Sequence, residues 1–282
     1  MNLKQVAQHF NEQLNGLYEQ TEIASIFAVV VEYLSGWSRA ELNWKKEDPM
    51  DEETYDSYTH ILAQLKKGVP MQYALGETIF YGLPFNVSPA VLIPRPETEE
   101  LVDWIIADCR SASDLKIIDI GTGSGCIAIT LEKNLPQNTV FGLDVSKEAL
   151  EVAKDNRFKN ESKVIFIEAD IRDFSSDEKF DVIVSNPPYI TMDEKNAMHE
   201  NVLAHEPHLA LFVPNERPLV FYEAIADFAL RSLKAGGLLY FEINEHLGSE
   251  TVAMLAKRSF SDIVLRKDMQ GKDRMIRCKM PV

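Results

Sequence analysis

Long apolar runs, clustered cysteines and blocks of basic residues are all missing from this 282-residue chain. No stretch approaches the roughly 20 apolar residues a helix needs to cross a bilayer. The first residues, Met1-Asn2-Leu3-Lys4-Gln5, carry no apolar core of the kind that marks a secretory signal. A cytoplasmic location and no membrane partner are therefore expected. The three cysteines, Cys109, Cys126 and Cys278, lie far apart. They show neither metal-ligand spacing nor a disulfide framework, so buried or incidental thiols are expected. Lysine and arginine total 29 against 44 aspartates and glutamates, a net charge of −15. Such a charge repels a polyphosphate backbone unless a local basic patch compensates. The most basic stretch, Arg266-Lys267…Lys272-Asp273-Arg274…Arg277-Cys278-Lys279, is broken by acids. A small molecule or a protein is thus favoured as substrate over duplex DNA. Internal repeats and low-complexity tracts are absent as well.

What is present is an ordinary balance of 45% hydrophobic and 26% charged residues, enough for a sizeable core and two domains. Residues 1–75 read as helical. Val6, Phe10 and Leu14 recur at helical spacing, as do Ile23, Phe27, Val30, Val31 and Leu34, with Gly36 as a stop. Ser38 or Asp51 can cap later helices. Tyr55, Tyr58, Ile61, Leu62 and Leu65 form a further apolar face that ends at Gly68 and Pro70. Residues 76–96 change character. Thr78–Val87 suggests a hairpin with a Gly82-Leu83-Pro84 turn, and Pro89, Pro94 and Pro96 impose stiff, extended backbone, as a connector would.

From residue 97 a helix opens on Pro96-Glu97-Thr98-Glu99-Glu100, and beyond it strands alternate with helices. The expected strands are 116–120, 139–143, 163–167, 181–185, 238–243, 262–265 and 274–279. The expected helices lie near 125–134, 146–158, 218–233 and 248–258. This alternation predicts an α/β, doubly wound, Rossmann-like sheet, its last two strands an antiparallel pair at one edge.

Two loops at strand ends carry the chemistry. The strand ending Ile117-Ile118-Asp119-Ile120 runs into Gly121-Thr122-Gly123-Ser124-Gly125, then a helix. Glycines there let a ligand approach the backbone closely. The next strand ends at Asp144, about 20 residues on, where an acid can accept from ribose hydroxyls; it can also cap the helix that begins at Ser146. The third ends Glu168-Ala169-Asp170-Ile171, so that Asp170 can accept an adenine amine and Ile171 can pack on the ring. The glycines depart from the spacing that seats a pyrophosphate on a helix N-terminus, so the site reads as one for a nucleoside rather than a dinucleotide. The second loop, Asn186-Pro187-Pro188-Tyr189, ends the apolar run Phe180–Ser185. Consecutive prolines stop a strand. The Asn186 oxygen and the Pro187 carbonyl can accept both hydrogens of a planar NH2 group, and Tyr189 can cover its flat face.

Those glycines and acids resemble the class I methyltransferases, which use S-adenosylmethionine on a seven-stranded sheet with an antiparallel last strand. With Pro70-Met71-Gln72-Tyr73-Ala74-Leu75-Gly76-Glu77, Phe80-Tyr81-Gly82-Leu83-Pro84-Phe85, Leu92–Glu99, Asn186–Tyr189 and Glu206–Leu211 added, the chain resembles the HemK/PrmC family over nearly its full length. These are glutamine-amide methyltransferases of peptide chain release factors. The resemblance implies methyl transfer to the glutamine of a Gly-Gly-Gln loop. It implies S-adenosylmethionine at Gly121, Thr122, Gly123, Ser124, Gly125, Asp144, Asp170, Ile171 and Asn186. It places catalysis and substrate binding at Asn186, Pro187, Pro188 and Tyr189, and a docking role in residues 1–75. A monomer is expected. Where the family has Glu-Ile-Gly, this chain has Glu242-Ile243-Asn244, and His246 stands near a usual glutamine.

Asn-Pro-Pro-Tyr also serves amino-directed adenine methyltransferases acting on a flipped base. That reading, and an inactive binding module, are the alternatives. His199, His205 and His208 with Glu200 and Glu206 follow no zinc spacing, and no metal is expected; they read as residues packing a lid over substrate. Arg95 and Glu97 either line the cofactor entrance or form a local ion pair.

Overall fold

The computed structural model describes residues 1–198 and 200–281. They divide into two compact units, residues 1–76 with a short helix at 200–205, and residues 77–198 with 206–281.

The first unit is helical: α1 (Leu3–Leu14), α2 (Gln20–Ser35), α3 (Arg39–Lys45), α4 (Glu52–Leu65) and α5 (Met71–Leu75). Asn2 forms a capping box with Gln5 at the start of α1, Ser38 does so with Glu41 at α3, and Asp51 accepts from the Thr54 amide at α4. Gly36 closes α2 in the left-handed region at φ 68°. The stripes predicted from periodicity meet in one core, with the Phe10 ring 5.2 Å from Phe27 and 6.4 Å from Tyr58.

The second unit opens on a hairpin, β1 (Glu77–Phe80) and β2 (Leu83–Asn86), followed by α6 (Pro96–Cys109). Its turn is Tyr81-Gly82 rather than Gly82-Leu83-Pro84, because both residues take positive φ, 49° and 75°. That is the geometry a tight two-residue hairpin demands. The Tyr81 amide donates to Glu99 Oε1 at 2.7 Å and its hydroxyl to Asp103 Oδ1 at 3.0 Å, which anchors the strained turn on α6. Phe80 and Phe85 are sealed in the core of this unit, so the hairpin is packed structure and not a free connector.

Beyond it come β3 (Lys116–Ile120), α7 (Cys126–Asn134), β4 (Thr139–Asp144), α8 (Lys147–Lys159), β5 (Ile165–Glu168) and β6 (Phe180–Ser185). A pair of two-residue strands, β7 (Ile190–Thr191) and β8 (Phe212–Val213), closes the base of an excursion that contains α9 (Glu200–His205). The chain finishes with α10 (Val220–Ser232), β9 (Leu233–Glu242), α11 (Gly248–Lys257), β10 (Ser261–Lys267) and β11 (Asp273–Lys279).

The seven-stranded sheet has the order β10-β11-β9-β6-β3-β4-β5. Only β11 runs against its neighbours, and the antiparallel pair lies at one edge as expected. Successive strand residues face opposite sides: Ile117, Val182, Val184 and Tyr240 pack under α6 and α7, while Ile118, Ile183, Leu239 and Phe241 pack under α10 and α11. β9 starts at Leu233, earlier than the expected residue 238. Gly236 at φ 77° absorbs a register shift that lets Leu233 pair with Phe180. The three thiols are buried and free. No helix among the described residues is long and apolar enough to cross a membrane.

Asn156 holds the hairpin to the glycine loop. Fully buried on α8, it accepts from the Asn86 amide at 2.6 Å and donates to the carbonyls of Asn86 and Ser124, both at 2.9 Å. Removing a buried partner leaves each stranded group a penalty of about 1–3 kcal/mol. Asn156→Leu, which keeps the volume but not the bonds, should therefore lower the unfolding temperature by roughly 5–10 °C. A melting temperature within 1–2 °C of wild type would show that the hairpin is held by its apolar residues alone.

Candidate active site

The chain runs β3, β4, β5 to one side and then returns to place β6 on the other side of β3. This reversal opens a crevice at the carboxyl ends of β3 and β6. The buried Ser185 hydroxyl donates to the Ile120 carbonyl at 2.6 Å and holds the two strand ends together. One cavity lies there, and both sequence-marked loops line it.

On the β3 side, Gly121, Gly123 and Gly125 have φ of 73°, 54° and 81°. The amides of Gly121 and Thr122 both donate to the Leu143 carbonyl, at 2.8 and 2.9 Å, which folds the loop back onto β4. At Gly121 and Gly123 nothing lies within 4 Å of where a Cβ would stand, so their backbone is open to a ligand. Gly142 serves a different purpose. A Cβ there would stand 2.7 Å from the Phe166 ring and 2.9 Å from Thr122 Oγ1, so glycine is what allows the loop to close.

Asp144 lines the cavity at the end of β4. Its Oδ2 accepts from the Gly123 amide at 2.8 Å and its Oδ1 from the Ser146 amide at 2.9 Å. The cap of α8 is Ser146, which accepts from the Ala149 amide at 3.1 Å, so the capping alternative for Asp144 does not hold. Burial raises the Asp144 pKa, and the two amides oppose that rise. Each carboxylate oxygen retains a further lone pair. Asp170 and Ile171 are on the same wall. Asp170 is gripped by Arg172, whose guanidinium reaches Oδ1 at 3.0 Å and Oδ2 at 2.5 Å and holds the carboxyl below its usual pKa.

On the β6 side, Asn186, Pro187 and Pro188 line the cavity, but Tyr189 is not among the lining residues. Its ring packs toward the α10–α11 core and its hydroxyl donates to Glu242 Oε1 at 3.4 Å. A tyrosine laid over the face of a substrate group is therefore not the arrangement observed. Burial, with the Glu242 charge beside it, pushes its phenol pKa up. Asn186 Nδ2 donates to Thr98 Oγ1 at 3.3 Å, and Thr98 donates to Glu242 Oε2 at 2.6 Å. Glu242 is 1% exposed, and burial lifts its pKa to about 7 against the opposing Thr98 bond and Arg274 charge. Asp119, fully buried under the glycine loop, is likewise pushed up to about 7 by burial, although Thr122 donates to its Oδ2 at 2.6 Å. Its Oδ1 has no hydrogen-bond partner among the described residues.

Arg95 lines the cavity, and it pairs with Glu206 at 2.5 Å rather than with Glu97. The Glu206 carboxylate, 1% exposed, also accepts from the Ile93 amide at 3.4 Å. This ion pair, buried at its Glu206 end, joins the Pro207–Ala210 and Leu92–Arg95 segments, both of which line the cavity. Glu97 instead accepts from Gln270 at 3.2 Å. Asn244 donates to the Tyr189 carbonyl at 3.2 Å and to Glu194 Oε1 at 3.0 Å. It thereby ties the exit of the Asn-Pro-Pro-Tyr loop to the end of β9. His246 is exposed beside Glu245. His205 lies on α9 and His208 packs edge-on against Phe212; His199 lies outside the described residues. Among the described residues no group of three or more metal-ligating side chains converges.

Residues 5–76 match the family model for the PrmC N-terminal domain, and residues 101–210 match that for the methyltransferase small domain. The release factor glutamine methyltransferase of Flavobacterium psychrophilum is 47% identical over 281 residues, 98% of this chain and 99% of that protein. This chain belongs to the release factor glutamine methyltransferase family. The Bacteroides thetaiotaomicron member is 39% identical over 97% of this chain and 99% of its own length. Among solved structures, a methyltransferase from Pyrococcus furiosus superposes with a TM-score of 0.53 at 19% identity, covering 72% of this chain and 91% of that one, a likeness of fold.

Two residues bonded to the Asn186 loop, Thr98 and Glu242, belong to no motif that the sequence singles out for chemistry. A signal did exist for one of them. Glu242 closes the apolar strand β9 as Asp144 closes β4, and both ends point to the same sheet edge.

Gly142→Ala should force Thr122 and Phe166 apart at a packed site, at a cost of about 1–3 kcal/mol. Thermal unfolding should register it as a drop of several degrees. An unchanged transition would mean that the loop can shift freely off β4.

Proposed function

We propose that this chain transfers a methyl group from S-adenosylmethionine to the side-chain amide nitrogen of the glutamine in the Gly-Gly-Gln loop of peptide chain release factors. One observation carries the reaction: the glycine loop and the Asn186–Pro187 pair open into a single cavity from adjacent strand ends. The substrate follows from the full-length relatives, named as release factor glutamine methyltransferases.

The cavity suits the cofactor. Gly121 and Gly123 leave their backbone uncovered, Asp144 retains lone pairs for ribose hydroxyls, and Ile171 offers an apolar surface for a base. Asp170 can accept an adenine amine only with its remaining lone pairs, since Arg172 occupies the others. Bound there, S-adenosylmethionine supplies a sulfonium methyl as electrophile.

An amide nitrogen is a weak nucleophile because its lone pair is delocalised into the carbonyl. The Asn186 side-chain oxygen and the Pro187 carbonyl hold its two hydrogens, orient it toward the donor and favour the positive charge that develops on it. Fixed near-attack geometry contributes much of the remaining acceleration. Held beside Gly121, Gly123, Asp144 and Ile171, the donor would supply its methyl to that nitrogen and would leave as a neutral thioether carrying the carbon–sulfur electron pair. The extra N–H proton then passes to water, so no strong base is needed. Tyr189 supports the loop from behind through Glu242. Residues 1–76 supply surface for docking a folded partner, which a cofactor crevice alone does not offer, since stable interfaces bury roughly 1,200–2,000 Å².

The purified protein, given labelled S-adenosylmethionine, should methylate an intact release factor at that glutamine and leave duplex DNA unlabelled. Label on adenine, or none on the factor, would overturn the assignment. Asp144→Ala removes a charged acceptor for ribose and releases the Gly123 amide. At about 1.5–3 kcal/mol for a hydrogen bond to a charged group, cofactor affinity should fall roughly 10–100-fold by calorimetry. Unchanged affinity would leave Asp144 as a loop fastener only.

A further inference from the structure

Thr98 has one hydroxyl proton, and the charge state of Glu242 decides where it goes. At 2.6 Å from Glu242 Oε2 it is donated to the carboxylate, which when ionised can only accept. Thr98 Oγ1 is then left with lone pairs alone. The Asn186 amide 3.3 Å away can approach it only with its NH2. An Asn side chain whose nitrogen is committed in one direction must turn its oxygen in the other. Thr98 and Asn186 both line the cavity, whereas Glu242 stands behind them at the end of β9. The other Glu242 oxygen accepts from the Tyr189 hydroxyl at 3.4 Å, so the same carboxylate braces both ends of the Asn-Pro-Pro-Tyr loop.

We propose that Thr98 and Glu242 are positioning residues that fix the polarity of the Asn186 amide, keeping its oxygen turned into the cavity as an acceptor for the substrate NH2. The assignment rests on the proposed role of Asn186 as that acceptor. It goes further by explaining why Asn186 accepts rather than donates, a choice that the shape of an amide does not make by itself. It also makes the relay reversible. A protonated Glu242 can donate to Thr98, Thr98 can then donate to Asn186, and the amide turns its NH2 toward a substrate that itself brings only N–H groups. Two donors facing each other do not bind.

The groups facing Glu242 bear on when this happens. Glu97 from α6 opposes its ionisation, while Arg274 from β11 and the Thr98 and Tyr189 hydroxyls favour it. The Tyr222 hydroxyl from α10 donates to its backbone carbonyl at 3.3 Å, and Cys126 at the start of α7 is a neutral neighbour. Burial outweighs the favourable contacts and places the titration at about 7. The carboxylate form is the active one, so turnover rises as pH climbs through that value and is lost below it. Asp119, pushed up to about 7, and Asp144, also raised by burial, are other acids at the site that could give such a limb.

The test uses the full-length protein, labelled S-adenosylmethionine and a Gly-Gly-Gln peptide, with kcat followed from pH 5.5 to 9. Thr98→Val keeps the shape of the side chain and deletes the relay. It should lower kcat roughly 10–100-fold, the scale of a misplaced reacting group, with cofactor affinity unchanged. It should also abolish the acidic limb, as should Glu242→Gln, while Thr98→Ser should restore both rate and limb. In an Asn186→Ala background, Thr98→Val should cost nothing more, because the relay has no amide left to orient. Melting temperatures and cofactor binding of each variant establish that it is folded. Full turnover by Asn186→Ala would remove the acceptor role on which the relay depends. Loss in Asn186→Ala with full turnover in Thr98→Val would overturn the relay alone. Additive losses in the double variant, or an acidic limb that survives Thr98→Val, would also overturn it, the latter assigning the titration to another acid of the site.

Discussion

The register that sets β3 beside β6 is the constraint on which everything else at the site depends. Ile120 and Ser185 are partners in the parallel ladder, and the Ser185 hydroxyl bonds the Ile120 carbonyl at 2.6 Å. That contact puts the first glycine of one loop and the asparagine of the other at the same sheet edge. A slip of one residue would exchange Ile118 and Ile183 for Ile117, Val182 and Val184 between two packed faces, and the side chains fitted under α6 and α7 on one face and α10 and α11 on the other would no longer match. The apolar packing of the sheet therefore enforces the juxtaposition of the two loops. Precision at the reacting centre is inherited from the core rather than built into the loops.

Polar side chains buried around the site then fix the loops themselves. Asn156 satisfies three backbone groups, and Asp144 holds two amides. Asn244 bolts the segment after Tyr189 to the end of β9. In each case the alternative is a buried backbone group without a partner, which is costly in a low-dielectric interior. Asn244 belongs to the same set of buried fasteners. Its amide reaches two partners that a glycine could not, so the local loop shape is held by side-chain bonds. The same economy explains the two raised carboxyls. Asp119 and Glu242 are each placed where burial opposes ionisation, and each is held by a threonine hydroxyl, Thr122 and Thr98. Acids kept near neutrality inside a protein can change state with small changes in surroundings, which is how such groups serve active sites.

The seven strands of the large sheet, the helices between them and both loops were legible in the sequence because their signals are local, whereas β7, β8 and α9, at two to six residues each, are too short to carry such a signal. Alternating or continuous apolar runs mark β3 to β6, glycines mark the open backbone at 121 and 123, and two prolines stop β6 after Ser185. The resemblance of several short motifs to one family gave the reaction class by the same local means. The hairpin turn was misplaced because proline and glycine are equally good turn residues by composition. Only the positive φ of Tyr81, held by Glu99, selects the two-residue turn.

What tertiary structure alone decided concerns pairs distant in the chain. Thr98 and Glu242 are 144 residues apart. Arg95 lies 111 residues from Glu206, and its choice of that partner over the adjacent Glu97 follows from folding, not spacing. Tyr189 is expected from the sequence over the flat face of the substrate group, yet its ring packs against the α10–α11 core and its hydroxyl reaches Glu242, partners that only the fold brings near. The sequence by itself determined which groups stand at each strand end, since backbone geometry follows from neighbouring residues. Which of those groups face each other, and with which protons, was decided by the packing of the sheet, because hydrogen-bond direction depends on partners that only the fold brings within reach.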